Sequence, residues 1–164
     1  MTTKHASIDA NGIRMHIAEE GEGPLVLLCH GFPETWYSWR HQLPALAQAG
    51  YRTVAPDMRG SGQTDCPDGI DQYTIFHIIG DMVGLLDALR EQQAVIAGHD
   101  WGGSVAWHAA LLRPDRFRAV ISLSTPFRGR SLQRPLDGDA AVRDRNVLPA
   151  LFPTARRRGR GACA

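Results

Sequence analysis

Gly98-His99-Asp100-Trp101-Gly102-Gly103 is the stretch on which the fold turns. The apolar residues 94–97 before it read as a short strand. Residues 102–112 after it read as a helix, stopped ahead of Pro114. Small residues two before, two after and three after Asp100 permit a tight strand-to-helix turn. That is the geometry of a nucleophile elbow, which exposes one side chain above a sheet. The helix start behind it supplies backbone donors and the positive end of a dipole. A carboxylate at the centre has chemical content. A serine attacking a saturated carbon would leave an ether, which water does not readily cleave. A carboxylate attacking the same carbon leaves an ester, which water can hydrolyse at the carbonyl. Asp100 therefore points to displacement at an sp³ carbon followed by ester hydrolysis. The competing reading is that Asp100 only caps the helix that follows it.

Outward from the elbow, the chain alternates between two periodicities. Asn11-Gly12 separates Ile8 from the alternating Ile13, Met15 and Ile17, which is a hairpin signal. Leu25-Val26-Leu27-Leu28-Cys29 is a continuous apolar run, as expected for a strand buried on both faces. A short helix is predicted over residues 43–49, ended by Gly50, and a strand over 52–55. Thr74 is placed to cap a helix in which Ile75, Ile78, Ile79, Met82, Leu85, Leu86 and Leu89 recur at helical spacing. Residues 119–123 read as one more strand. A hairpin followed by β, α, β, α, β, α, β predicts an α/β fold with a mostly parallel sheet and flanking helices. Ligands in such sheets bind beyond the carboxyl ends of the strands. Residues 57–67 form a loop after the strand at 52–55, and Asp57 and Arg59 read as structural ties within it.

The second strand end with unusual chemistry is His30-Gly31-Phe32-Pro33, directly after the apolar run. In a nucleophile-elbow fold this loop gives one backbone N–H of an oxyanion hole, and the residue after the nucleophile gives the other. By position those donors are the amides of Phe32 and Trp101. His30, Gly31 and Pro33 read as the scaffold of the loop, with His30 satisfying backbone groups and not serving as a base. Trp36 and Trp39 are candidates either for lining a cavity or for core packing.

Four motifs in order resemble the soluble epoxide hydrolases of the α/β-hydrolase superfamily. They are His30-Gly31-Phe32-Pro33-Glu34 with Trp36-Tyr37-Ser38-Trp39-Arg40, then Ala55-Pro56-Asp57-Met58-Arg59-Gly60, the elbow, and Ser124-Thr125-Pro126-Phe127. The resemblance covers residues 5–128 and implies an α/β-hydrolase fold, of which this chain has the N-terminal part of the core. It implies Asp100 as the nucleophile that opens a small hydrophobic epoxide, the Phe32 and Trp101 amides as the oxyanion hole, and no organic cofactor or metal. A haloalkane dehalogenase also uses an elbow Asp, but would want a halide-binding side chain such as Asn where this chain has Phe32.

The family pattern continues into a helical cap with epoxide-protonating tyrosines, then into a second half of the core with an acidic residue and a water-activating histidine. Here there is no tyrosine after Tyr73 and no histidine after His108. His99 points away from its neighbour Asp100, His108 lies below the elbow, and His5, His16, His41 and His77 read as surface or packing residues. The expectation is a truncated enzyme, incomplete for turnover, or a catalytically dead fragment. An open apolar edge at residues 119–123 would make it oligomeric or poorly soluble.

Composition marks the same boundary. Residues 1–128 carry 10 basic and 14 acidic side chains, whereas residues 129–164 carry 8 arginines and 3 aspartates. All four tryptophans precede residue 108. The division expected is therefore 1–128 as hydrolase core and 129–164 as a basic tail, disordered or frameshifted. With 17 arginines to one lysine the coding DNA reads as GC-rich. The tail lacks the interleaved aromatics of a nucleic-acid arm, so no nucleic-acid partner is expected. No apolar run approaches a membrane span, and no apolar segment follows Met1-Thr2-Thr3-Lys4-His5, so no secretory signal is expected. Three widely spaced cysteines form neither a zinc pattern nor a disulfide framework, which fits a cytoplasmic setting.

Overall fold

Asn11 and Gly12 both take positive φ angles, 51° and 78°, the requirement of the two-residue turn that their sequence predicts. They join β1 (Lys4–Ala10) to β2 (Ile13–Glu20), an antiparallel hairpin with Ala10 paired to Ile13. The structure is a computed structural model that describes residues 2–127. The expected basic tail, residues 129–164, lies outside the described residues.

Four parallel strands follow: β3 (Leu25–Cys29), β4 (Arg52–Pro56), β5 (Ala94–His99) and β6 (Phe117–Leu123). Three helices link them, α1 (Gln42–Gln48), α2 (Ile75–Ala88) and α3 (Trp101–Leu112). The sheet order is β1-β2-β4-β3-β5-β6, with β2 antiparallel to β4. The chain leaves β3 towards β4 and then crosses back to β5 on the other side. The carboxyl ends of β3 and β5 are thus neighbours at the point where the winding reverses, which is where such sheets hold ligands.

The continuous apolar run of β3 has a direct explanation. Leu25, Leu27 and Cys29 pack on one face, with Met15, Ile17, Val54, Ile96, Val105 and the buried stripe of α2. Val26 and Leu28 pack on the other, with Ala18, Trp39, Leu43, Ala55 and Ala97. Each fully buried Leu or Ile contributes on the order of 1.5–3 kcal/mol. The α2 stripe falls as its spacing predicts. Ile79, Met82, Leu85 and Leu86 are buried, and Ile75, Ile78 and Leu89 pack partly against them. Thr74 caps α2 by accepting from the His77 amide. Trp39 belongs to the core, while Trp36 packs edge-on against His5 and His16.

Several boundaries differ from the sequence reading by one or two residues. α1 spans Gln42–Gln48, β4 runs on through Pro56 and β5 through Gly98 and His99, β6 begins at Phe117, and α3 begins at Trp101. Two 3-10 turns, Trp36–Trp39 and Ile70–Tyr73, were not foreseen; four residues are too few to carry a periodicity. β6 is an edge strand among the described residues, with Ile121 and Leu123 about half exposed.

One buried ion pair fastens the loop after β4 to α2. Arg59 donates from Nε and Nη2 to the Asp81 carboxylate at 2.8 and 2.6 Å, and Asn11 donates to the same carboxylate at 2.8 Å. Both charged side chains are buried. The Asp81 hydrogen bonds hold the guanidinium more firmly protonated, against the opposing effect of burial. Asp81→Ala leaves a buried guanidinium without its counter-charge. It is expected to destabilise the fold by about 3–5 kcal/mol, read as a lower urea midpoint. A loss below about 1 kcal/mol would show that the pair does not hold this loop.

Candidate active site

Asp100 follows β5 directly and has φ 53° and ψ −121°, a sparsely populated region for a residue with a β-carbon, costing about 1–3 kcal/mol. The surroundings hold it there. Its carbonyl oxygen accepts from the amides of Gly103 (3.0 Å) and Ser104 (3.3 Å) and from the Thr125 hydroxyl (2.8 Å). Absent side chains complete the turn. A β-carbon on Gly98 would lie 2.6 Å from the Gly103 nitrogen and closer still to the Gly102 oxygen. One on Gly102 would lie 2.6 Å from the His30 oxygen and closer still to that of Cys29. The turn therefore sits directly against the carboxyl end of β3.

The two readings of Asp100 differ in where its carboxylate is engaged. Its side chain makes no capping hydrogen bond to α3, although it occupies the cap position. Instead Oδ1 accepts from the Phe32 backbone amide at 3.2 Å. Asp100 is exposed, as is the Trp101 ring at the first position of α3. Gly31 passes so close that a β-carbon there would lie 2.6 Å from the Asp100 β-carbon.

The loop after β3 has its own bracing. His30 is buried, and both ring nitrogens are engaged. Nδ1 bonds the Gly31 oxygen at 2.7 Å, so Nε2 accepts from the Met58 amide at 2.9 Å. Burial lowers its pKa, against the raising effects of the Gly31 bond and of nearby Asp57 and Glu34. The Phe32–Pro33 peptide bond is cis. His30 and Gly31 precede Phe32 in this loop and Pro33 follows it.

Glu34, a residue of the loop motif with no site role expected of it, joins two strand ends. Its amide donates to the Gly31 oxygen at 3.0 Å, its Oε2 accepts from the Gly31 amide at 3.0 Å, and its Oε1 lies 3.5 Å from His99 Nδ1. The Gly31 amide holds its carboxyl below the usual range, with lesser help from Ser38 and His99 and against burial. The tie is therefore present at neutral pH and is lost only as pH falls through that depressed value. Thr125, quoted with the Ser124–Phe127 motif, donates to the Asp100 carbonyl, a contact that no local spacing signals. The remaining histidines are placed elsewhere. His99 faces Glu34, and His108 bonds the Ser104 carbonyl in its own helix at 2.7 Å. Among the described residues no cluster of three His, Cys, Asp or Glu could hold a metal ion.

A sheet of this order, with its turn after β5 against the end of β3, is that of an α/β hydrolase. The family model for the alpha/beta hydrolase fold matches residues 24–161, and the chain belongs to that family. Its relatives narrow the comparison. It is 56% identical over 130 residues to an epoxide hydrolase of Caballeronia sordidicola, covering 78% of this chain and 40% of that protein. It is 54% identical over 116 residues to bifunctional epoxide hydrolase 2 of Sus scrofa, covering 71% and 21%. A crystal structure of an epoxide hydrolase from Vigna radiata superposes with a TM-score of 0.79 at 47% identity, covering 92% of this chain and 46% of that one. The chain thus spans 40% or less of the length of these two curated relatives.

Gly→Ala inside a helix ordinarily stabilises by about 0.5–1 kcal/mol. Gly102→Ala is expected to do the reverse, destabilising by about 2 kcal/mol or more, because backbone oxygens occupy the space. Urea unfolding of the two proteins checks the sign, and a stabilised variant would contradict the close approach of the turn to β3.

Proposed function

We propose that this chain is the N-terminal part of an epoxide hydrolase, residues 1–128 being hydrolase core, in which Asp100 is the nucleophile. The observation that carries the reading is the Asp100 carboxylate, exposed on a strained turn, free of the helix it precedes, and bonded to the Phe32 amide. With Oδ1 held by that amide, Oδ2 attacks an epoxide carbon. A C–O ester bond forms and the ring C–O bond breaks. The ring oxygen leaves as an alkoxide and takes a proton from water, giving a hydroxyalkyl ester of Asp100. Water attack at the ester carbonyl then puts negative charge on Oδ1, the atom already facing Phe32, with the Trp101 amide as the second donor of the oxyanion hole. The substrate class is a small hydrophobic epoxide. A cytoplasmic setting belongs to the same reading and is supported by Cys29 and Cys66, both free thiols. No helix among the described residues is long and apolar enough to cross a membrane.

The second half-reaction needs a base to activate water. His30 has both nitrogens committed, His99 faces Glu34 and His108 bonds its own helix. The ester is therefore expected to accumulate.

Incubation with styrene oxide followed by peptide mass spectrometry tests the assignment. The expected result is one adduct of the epoxide's mass on Asp100, absent in Asp100→Ala. Labelling confined to other nucleophiles, such as the exposed Cys66, would remove Asp100 as the nucleophile. Diol formed in many turnovers per chain would overturn the missing-base argument.

A further inference from the structure

The position of the Phe32 amide is set from outside its own loop. The bonds between Gly31 and Glu34 close the turn on itself but do not fix where it sits. Besides the contact of Glu34 with His99, two further bonds anchor it, one at each end of the loop. The Met58 amide donates to His30 Nε2 at 2.9 Å, and the Trp36 amide donates to Asp57 Oδ1 at 2.8 Å. Consecutive residues after β4 thus grip both ends of the segment 30–36 that presents Phe32.

Asp57 is itself fixed by a chain of bonds reaching the surface. Its Oδ2 accepts from the Gln63 amide at 3.0 Å and lies 2.8 Å from His16 Nδ1. A carboxylate only accepts, so Nδ1 of His16 carries the proton. In a neutral ring Nε2 is then an acceptor, and it faces His5 Nδ1 at 3.0 Å. The two imidazoles lie edge to edge with centroids 5.2 Å apart and planes 8° apart, and the Trp36 ring meets both edge-on. Main-chain ties duplicate the link. The Asp57 amide donates to the His16 oxygen at 2.9 Å, and the Thr64 hydroxyl bridges the His16 amide and the Asp57 oxygen. Trp36 is therefore held twice by one assembly, through its amide and through its ring.

We propose that Asp57, oriented by His16 and His5, is a positioning residue that sets the Phe32 amide against Asp100. The proposal rests on the reading of Asp100 as nucleophile. Asp57 is 1% exposed and His16 4% exposed, so neither reaches a substrate, and the pair acts through the loop. The Asp–His pair is a strut between the β1–β2 hairpin and the site, not a second catalytic dyad.

Backbone amide exchange and the rate of Asp100 alkylation by styrene oxide, measured on wild type, Asp57→Asn, Asp57→Ala and the control Asp81→Asn, test this. Asp57→Ala is expected to speed exchange at Phe32, Glu34 and Trp36 by about 10-fold or more while leaving the buried face of α2 unchanged, and to slow alkylation. Asp57→Asn keeps one acceptor oxygen and should fall between wild type and Asp57→Ala. The control should loosen α2 and the β1–β2 turn without selecting the loop. If Asp57→Ala does not fold, Asp57→Asn alone must still show selective loosening of the loop. Uniformly faster exchange in the folded Asp57 variants, as for a merely structural residue, would overturn the proposal, as would an unchanged loop. A wild-type chain that is never alkylated would sink the nucleophile reading, while the exchange data would still decide whether Asp57 holds the loop.

Discussion

Space around the turn after β5 is the constraint on which the rest depends. Three glycines, 98, 102 and 31, leave no room for β-carbons: at Gly98 and Gly102 backbone meets backbone, at Gly31 the backbone meets the Asp100 side chain, and the β5–α3 turn touches the end of β3. That closeness forces Asp100 into a positive φ and points its carboxylate out of the helix it would otherwise cap. The cost of about 1–3 kcal/mol is offset by three donors on its carbonyl oxygen. Site and fold are here the same feature. The parallel pairing of β3 with β5 aligns Cys29 with Gly98, so the loop carrying Phe32 and the turn carrying Asp100 emerge side by side.

Two buried carboxylates of the loop after β4 and of α2 meet several donors, Asp57 from Trp36, Gln63 and His16, and Asp81 from Arg59 and Asn11. Asp100 differs. It is exposed and has one backbone donor on Oδ1.

What could be read from sequence was what repeats locally. The two-faced apolar run of β3, the stripe of α2, the Asn-Gly hairpin and the small residues around Asp100 each announce a geometry within a few positions. The Phe32 amide could be placed because it follows a strand end by a fixed offset. The rest is carried by pairs distant in the chain. Asn11 meets Asp81 across 70 residues, His16 meets Asp57 across 41, and Thr125 meets Asp100 across 25. No periodicity marks such partners, and a buried histidine such as His16 reads the same as an exposed one. Glu34 was visible as a letter in a motif, but its reach to Gly31 and His99 needs the two strand ends brought together first.

The central claim is that the Asp100 carboxylate is presented to the Phe32 amide and not to the helix behind it. A pH titration of backbone amide chemical shifts addresses that contact directly. The account predicts that the Phe32 amide resonance follows the ionisation of Asp100 and loses that response in Asp100→Ala. A Phe32 amide indifferent to Asp100, with the amides of Gly102 and Gly103 responding in its place, would make Asp100 a helix cap and contradict the account.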